Sequence, residues 1–109
     1  MIRPGDVIIV DYPGVQKTKR RPGVAVSTDL YHATRPDVVV AILTTQLAKA
    51  TGPTDYALQD WAAAHLHKPS AFRVYLEMFQ AADLVIIGHL SDRDWQEARA
   101  RLRVGLAVT

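Results

Sequence analysis

Short runs of apolar, mostly β-branched residues, each cut off by proline, glycine or a polar cluster, constrain this chain more than any other feature. Val7-Ile8-Ile9-Val10 follows the turn signal Arg3-Pro4-Gly5 and is stopped by Pro13-Gly14. So short a run between turn residues reads as a buried strand. A second strand, roughly Val24 to Ser27, opens just after Pro22, where a strand tolerates proline. Val38-Val39-Val40-Ala41-Ile42-Leu43 is the strongest strand signal of all. Between these runs, Lys17 to Arg21 reads as a polar, basic loop and Thr28 to Arg35 as a short helical turn or loop.

Further along, Lys49 to Thr54 forms a loop around Gly52-Pro53, and Tyr56-Ala57-Leu58 a short strand. Asp60 is suited to cap a brief helix through Trp61-Ala62-Ala63-Ala64. After Pro69-Ser70 comes the cleanest alternation: Phe72, Val74, Leu76 and Met78 toward a core, Arg73, Tyr75 and Glu77 toward water or a ligand. Leu84-Val85-Ile86-Ile87 is a further buried strand, ended by Gly88. Ser91-Asp92-Arg93-Asp94 reads as a capping box, and behind it Trp95, Ala98, Leu102 and Leu106 recur at helical spacing.

Short strands and one terminal helix, without the strand–helix alternation of a parallel sheet, predict a mainly β fold with α. The expected form is a small, partly open antiparallel barrel or strongly bent sheet with the helix packed on it. The 109 residues fit one domain. The chain has no cysteine, which excludes disulfide scaffolds, thiolate zinc sites and cysteine nucleophiles. No apolar run approaches the ~18 residues of a membrane span, and no secretory leader opens the sequence. A soluble, cytoplasmic protein is expected. A net charge of +2 is too mild to indicate nucleic acid by itself, so the placement of charge must decide.

Lys17, Lys19, Arg20 and Arg21 concentrate positive charge at the start of a strand. Such a segment attracts phosphate, and a strand-anchored arginine grips it bidentately; the plain alternative is a solvated loop. Thr44, Thr45 and Gln46 follow the strongest strand, where hydroxyls and an amide donate to phosphate or base edges, or merely close a turn. Arg73, Tyr75 and Glu77 put a cation, a phenol and a carboxylate on one strand face, suited to acid–base work or to a salt-bridged surface. His65 and His67 form an H-x-H pair beside Pro69, but no nearby carboxylate supplies a third ligand. No metal and no cofactor are expected.

Taken in order, these segments resemble one family. Pro4-Gly5-Asp6-Val7-Ile8-Ile9-Val10-Asp11 resembles the opening strand of MazF/PemK-type toxins, and Arg20-Arg21-Pro22-Gly23-Val24-Ala25-Val26-Ser27 their second strand. Val39 to Leu47 is similar to their third strand, and Thr54-Asp55-Tyr56, Lys68-Pro69-Ser70 and Ile87-Gly88-His89-Leu90-Ser91-Asp92 resemble later landmarks. Each piece is modest, but order and spacing cover nearly the whole chain. The resemblance implies an SH3-like barrel that dimerises and a metal-independent endoribonuclease of a type II toxin–antitoxin system. Single-stranded RNA would bind in a groove at the dimer interface, and a cognate antitoxin would occupy the same groove. DNA would be met only by the toxin–antitoxin complex.

The resemblance also implies that Arg21 is catalytic, with Thr44 as its partner; Lys17, Lys19, Arg20, Thr45 and Gln46 are the candidate RNA contacts beside them. Arg73 matches an arginine of the PemK-like branch, but Tyr75 stands where that branch has an acid–base aspartate. The general base is therefore open, with Arg73, Tyr75 and Glu77 as candidates for catalysis or substrate contact. Tyr12, Tyr56 and Tyr75 are candidate stacking platforms for bases. The competing readings are a non-catalytic binding module of the same fold, a DNA-binding regulator and a peptide-binding adaptor.

Overall fold

Neighbouring residues of a strand point to opposite faces, so Val7 and Ile8 can both be buried only if both faces of their sheet are covered. Both are completely buried. The computed structural model describes residues 1–13 and 18–108, with the side chains at 12, 13, 18 and 19 outside that description. In chain order it has strands β1 (Asp6–Pro13) and β2 (Thr18–Ala25), helix α1 (Asp29–Thr34) and strands β3 (Asp37–Ile42), β4 (Asp55–Ala57), β5 (Ala71–Arg73), β6 (Leu76–Gln80) and β7 (Val85–His89). Helix α2 (Asp92–Gly105) follows, and 3-10 turns occupy Leu47–Lys49 and Ala81–Asp83.

Five strands form one antiparallel sheet in the order β6-β3-β2-β1-β7, and β4 and β5 form a second, two-stranded one. An isolated bridge between Thr44 and Ala71 joins the two. The outermost strands β6 and β7 are linked only by residues 81–84. In a flat sheet they would lie four strand spacings, ~19 Å, apart, more than the ~17 Å that this link spans at full extension. The sheet must therefore curl. Inside the curl lie Ile8, Val10, Ala25, Val38, Val40 and Ile42, with Phe79 and Leu84 closing over them from either side of the Ala81–Asp83 turn. The opposite face carries Val7, Val24, Ala41 and Leu43, covered by Leu58, Leu66, Phe72, Leu90 and Ala98.

Several expectations need correction. No closed barrel forms among the described residues, because side chains rather than ladder hydrogen bonds hold the two edges over one apolar cluster. Arg20 and Arg21 are not in a loop: β2 begins at Thr18 and pairs Arg20 with Asp11 and Arg21 with Val10. Gly88 lies within β7 rather than ending it. Asp60 caps no helix, since residues 61–65 make only turns and its carboxylate is taken by Arg93 and Ser91.

The expected long strand through residue 78 is broken at Val74 and Tyr75, where the Tyr75 amide donates back to the Arg73 carbonyl (2.8 Å). Met78 is half exposed, because its cross-strand pair with Val39 lies past the end of the covering layer. The face expected to meet water or a ligand is partly a core face: Phe79 packs inside the curl, and Glu77 pairs with buried Val40.

Helix α2 starts as expected, with the Ser91 hydroxyl accepting from the Asp94 amide (3.3 Å). The reciprocal half of a capping box is absent. The Asp94 carboxylate, fully buried, instead accepts from the Tyr56 hydroxyl (2.6 Å) and the amides of Gln59 (3.1 Å) and Asp60 (2.8 Å). It thereby ties α2 to β4 and the segment after it.

Candidate functional site

The β2–β3 register places the central pair. Gly23 lies opposite Ile42, and a hydrogen bond from the Leu43 amide to the Pro22 carbonyl (3.1 Å) carries the register past the last ladder pair. One further step sets Arg21 across from Thr44 and Arg20 across from Thr45. Directly opposed residues hold their Cβ atoms about 4.5–5.5 Å apart, and adjacent pairs face opposite sides of the sheet. Two consecutive arginines thus serve two different surfaces.

Arg21 and Thr44 share the inner face of the curl. With Ile42, Gln46, Arg73 and Tyr75 they line a cleft of about 290 Å³ where the apolar cluster ends. Ile42, almost fully buried, joins that cluster to the cleft. The Thr44 hydroxyl accepts from the Gln46 amide (3.1 Å), which fixes the oxygen at the strand end. Arg73 is anchored by one edge, its Nε donating to the Ile42 carbonyl (3.2 Å). Its guanidinium carbon lies 4.5 Å from the centroid of the Tyr75 ring. The break between β5 and β6 makes this stack possible, since the tight turn at Val74 brings residues 73 and 75 side by side.

Two guanidiniums, a hydroxyl, an amide and a phenol converge here. Such a set binds an anion with several oxygens and offers forked donors to it. Glu77 lies opposite Val40 on β6, on the same inner face as Arg21 and Thr44.

Arg20 and Thr45 belong to the other face. They border a larger, mostly apolar cleft of about 640 Å³ whose walls include Ile9, Pro22, Leu66 and Val85, with His67 and Lys68 at its edge. A small cleft of about 210 Å³ at the strand ends, lined by Arg20, Arg21, Thr44 and Thr45, lies between the two. Arg20 also pairs with Asp11 at 3.4 Å, an exposed contact worth ~0–1 kcal/mol. Lys17 lies outside the described residues, and for Lys19 only the backbone is described, paired with Tyr12.

Among the described residues no three His, Asp or Glu side chains gather where a metal ion could be held. His65 donates from Nδ1 to the Ile87 carbonyl (2.6 Å) and adopts a φ of 66°. His32 sits between the Ser27 hydroxyl (2.6 Å) and the Ile2 carbonyl (3.0 Å), and His89 is 2.7 Å from the Asp6 carboxylate. Tyr56 is not an open stacking platform: its ring packs on the buried cluster that includes Leu58 and Phe72, and its hydroxyl is held by Asp94.

Two groups that sequence reasoning missed support the site from behind. Tyr56 pairs with Phe72 and Asp55 with Arg73 across the β4–β5 ladder, so whatever fixes β4 also fixes Arg73. Asp94 holds the Tyr56 phenol; burial, reinforced by this bond, pushes that phenol up to about 12. Asp60 accepts two bonds from Arg93 (both 2.7 Å) and one from the Ser91 hydroxyl (2.5 Å), and the Arg93 bonds foremost lower its carboxyl to about 2. The signal for Asp94 was its place three residues after an N-cap; nothing in the sequence pointed to its distant partners.

Solved structures share this fold. An endoribonuclease in complex with its cognate antitoxin, from a Mycobacterial species, matches with a TM-score of 0.81 over 100% of this chain and 97% of that one, at 22% identity. A MazE–MazF crystal structure from Deinococcus radiodurans gives 0.78 over 98% and 97%, at 15% identity. Another Mycobacterial endoribonuclease gives 0.74 over 98% and 94%, at 21% identity. No curated protein is a significant sequence match. The family model of the PemK-like, MazF-like toxin of type II toxin–antitoxin systems matches residues 3–106, and the chain belongs to that family.

Proposed function

We propose that this chain is a sequence-selective endoribonuclease toxin that cuts single-stranded mRNA without a metal or other cofactor. In this reading it is a single-domain protein of the cytoplasm, acts as a homodimer and is silenced by a cognate antitoxin. It meets DNA only as the toxin–antitoxin complex. The observation that carries the reading is the cleft in which Arg21, Thr44 and Arg73 converge.

The substrate supplies its own nucleophile. The ribose 2′-oxygen attacks the adjacent phosphorus and loses its proton, the bond to the 5′-oxygen breaks, and that oxygen takes up a proton. A 2′,3′-cyclic phosphate and a free 5′-hydroxyl result. Negative charge grows on the non-bridging oxygens in between, so in-line positioning and cationic stabilisation are what the protein must provide. Arg21 binds those oxygens through forked bonds, since its planar guanidinium carries only donors. Thr44 donates from its hydroxyl to the same phosphate. Arg73, held at the Ile42 carbonyl, adds the second positive charge. Gln46, Lys17 and Lys19 contact the flanking chain, as do Arg20 and Thr45 around the strand ends. Glu77, on the same inner face, stays a candidate for substrate contact or proton transfer.

The test is cleavage of single-stranded RNA by the purified protein in EDTA. Arg21→Ala should lower the rate at least ~100-fold, the usual cost of losing a transition-state donor, while leaving the thermal melt in place. Cleavage that depends on added divalent metal overturns the mechanism. A second reading, an RNA- or antitoxin-binding module with little activity, is favoured by the resemblance, in which Tyr75 stands where the PemK-like branch has its acid–base aspartate. RNA binding without cleavage would select it.

A further inference from the structure

We infer that the Arg73–Tyr75 stack is a nucleobase platform, on which a base next to the scissile phosphate lies flat, and that Tyr75 contributes its ring face rather than its hydroxyl. The inference rests on the reading of the cleft as an RNA site and assigns Tyr75 a part in it. Three features of the structure carry it.

First, the platform is preorganised. The Arg73 Nε bond to the Ile42 carbonyl (3.2 Å), the Tyr75 amide bond to the Arg73 carbonyl (2.8 Å) and the Ile42 amide bond to the Tyr75 carbonyl (3.0 Å) fix both backbones and the guanidinium before any ligand arrives. Little ordering entropy is then left to lose on binding. Second, Tyr75 is 46% exposed although it stands at the cleft, so a large aromatic surface is held open beside two cations. The Arg73 guanidinium backs one side of the ring, 4.5 Å from its centroid, and bases stack on aromatic rings and guanidinium planes in single-stranded recognition. Third, the cleft of about 290 Å³ sits at the lower end of small-molecule sites (~300 Å³), about the size of one splayed nucleotide.

Stacking on one aromatic typically changes affinity by ~5- to 150-fold per base. The experiment compares wild type, Tyr75→Phe and Tyr75→Leu binding to two labelled probes of equal length: random-sequence single-stranded RNA, and a ribose-phosphate strand of base-less spacers. Tyr75→Leu should weaken binding of the RNA about 10-fold and leave the base-less strand unchanged, whereas Tyr75→Phe should bind both like wild type. Equal loss on both probes makes Tyr75 a phosphate or structural residue and overturns the inference. So does a leucine variant that binds RNA as wild type does, or a phenylalanine variant as weak as leucine. The nuclease reading fails separately, if wild type binds RNA in this pattern but does not cut it.

Discussion

Replacing Asp94 with alanine should be strongly destabilising although it lies outside the cleft. The carboxylate is fully buried and accepts from the Tyr56 hydroxyl (2.6 Å), the Asp60 amide (2.8 Å) and the Gln59 amide (3.1 Å). Each donor stranded without an acceptor costs ~1–3 kcal/mol, at the low end where water can reach it, as at exposed Gln59. The lost negative charge in the first turn of α2 adds ~0.3–1 kcal/mol, and the better helix propensity of alanine returns about half a kcal/mol. The net is a destabilisation of about 3–4 kcal/mol against a typical total of ~5–15 kcal/mol. At roughly 4 °C per kcal/mol, Tm should fall by about 12–16 °C. Urea denaturation followed by circular dichroism measures this directly. Tyr56→Phe alone should cost ~1 kcal/mol, and in the double variant the two losses should overlap rather than add. A loss under ~1 kcal/mol for Asp94→Ala, or strict additivity with Tyr56→Phe, would refute the argument that these bonds clamp α2 to β4.

Two other outcomes follow from the same scaffold. An added Cβ at Gly88 would run into the backbone carbonyl oxygen of Ala64, which cannot move aside as a side chain can, so Gly88→Ala should lose about 2–3 kcal/mol in a thermal melt. A melt within ~0.5 kcal/mol of wild type would contradict that packing. The bonds from Arg93 and Ser91 lower the Asp60 carboxyl from 3.8 to about 2, so its contribution is present above the unfolded-state value and is lost as pH falls through about 2. The Tm difference between wild type and Asp60→Asn should be constant above about pH 4 and shrink toward about pH 2; a difference independent of pH would show that the charge is not what counts.

Strand identities were legible because β-branched runs of four to six residues between turn signals have few other uses. The second buried face was less so. A run such as Val7 to Val10 is equally apolar at odd and even positions, and only the curl, imposed by the short β6–β7 link, reveals that both faces are covered. The same limit hid that Glu77, which alternates with Leu76 and Met78, sits opposite fully buried Val40 on the inner face. Arg21 and Thr44 were picked out by resemblance, and the register explains why they are neighbours. Arg20 and Thr45 looked like part of the same group in sequence, but a one-residue step sends them to the other side. Asp94 and Asp60 depend on partners 31 to 38 residues away, a distance at which local pattern carries no information.

The central claim is that a ribose hydroxyl, steered by Arg21 and Thr44, breaks its own neighbouring phosphodiester. It is tested most directly by mapping a cut site in EDTA and then replacing the 2′-hydroxyl at that one nucleotide with hydrogen. Cleavage should vanish there, the all-ribose strand should end in a 2′,3′-cyclic phosphate, and Arg21→Ala should abolish the cut. If the deoxy-substituted strand is still cut at that position, or the Arg21 variant cuts at the wild-type rate, this cleft does not perform the proposed chemistry.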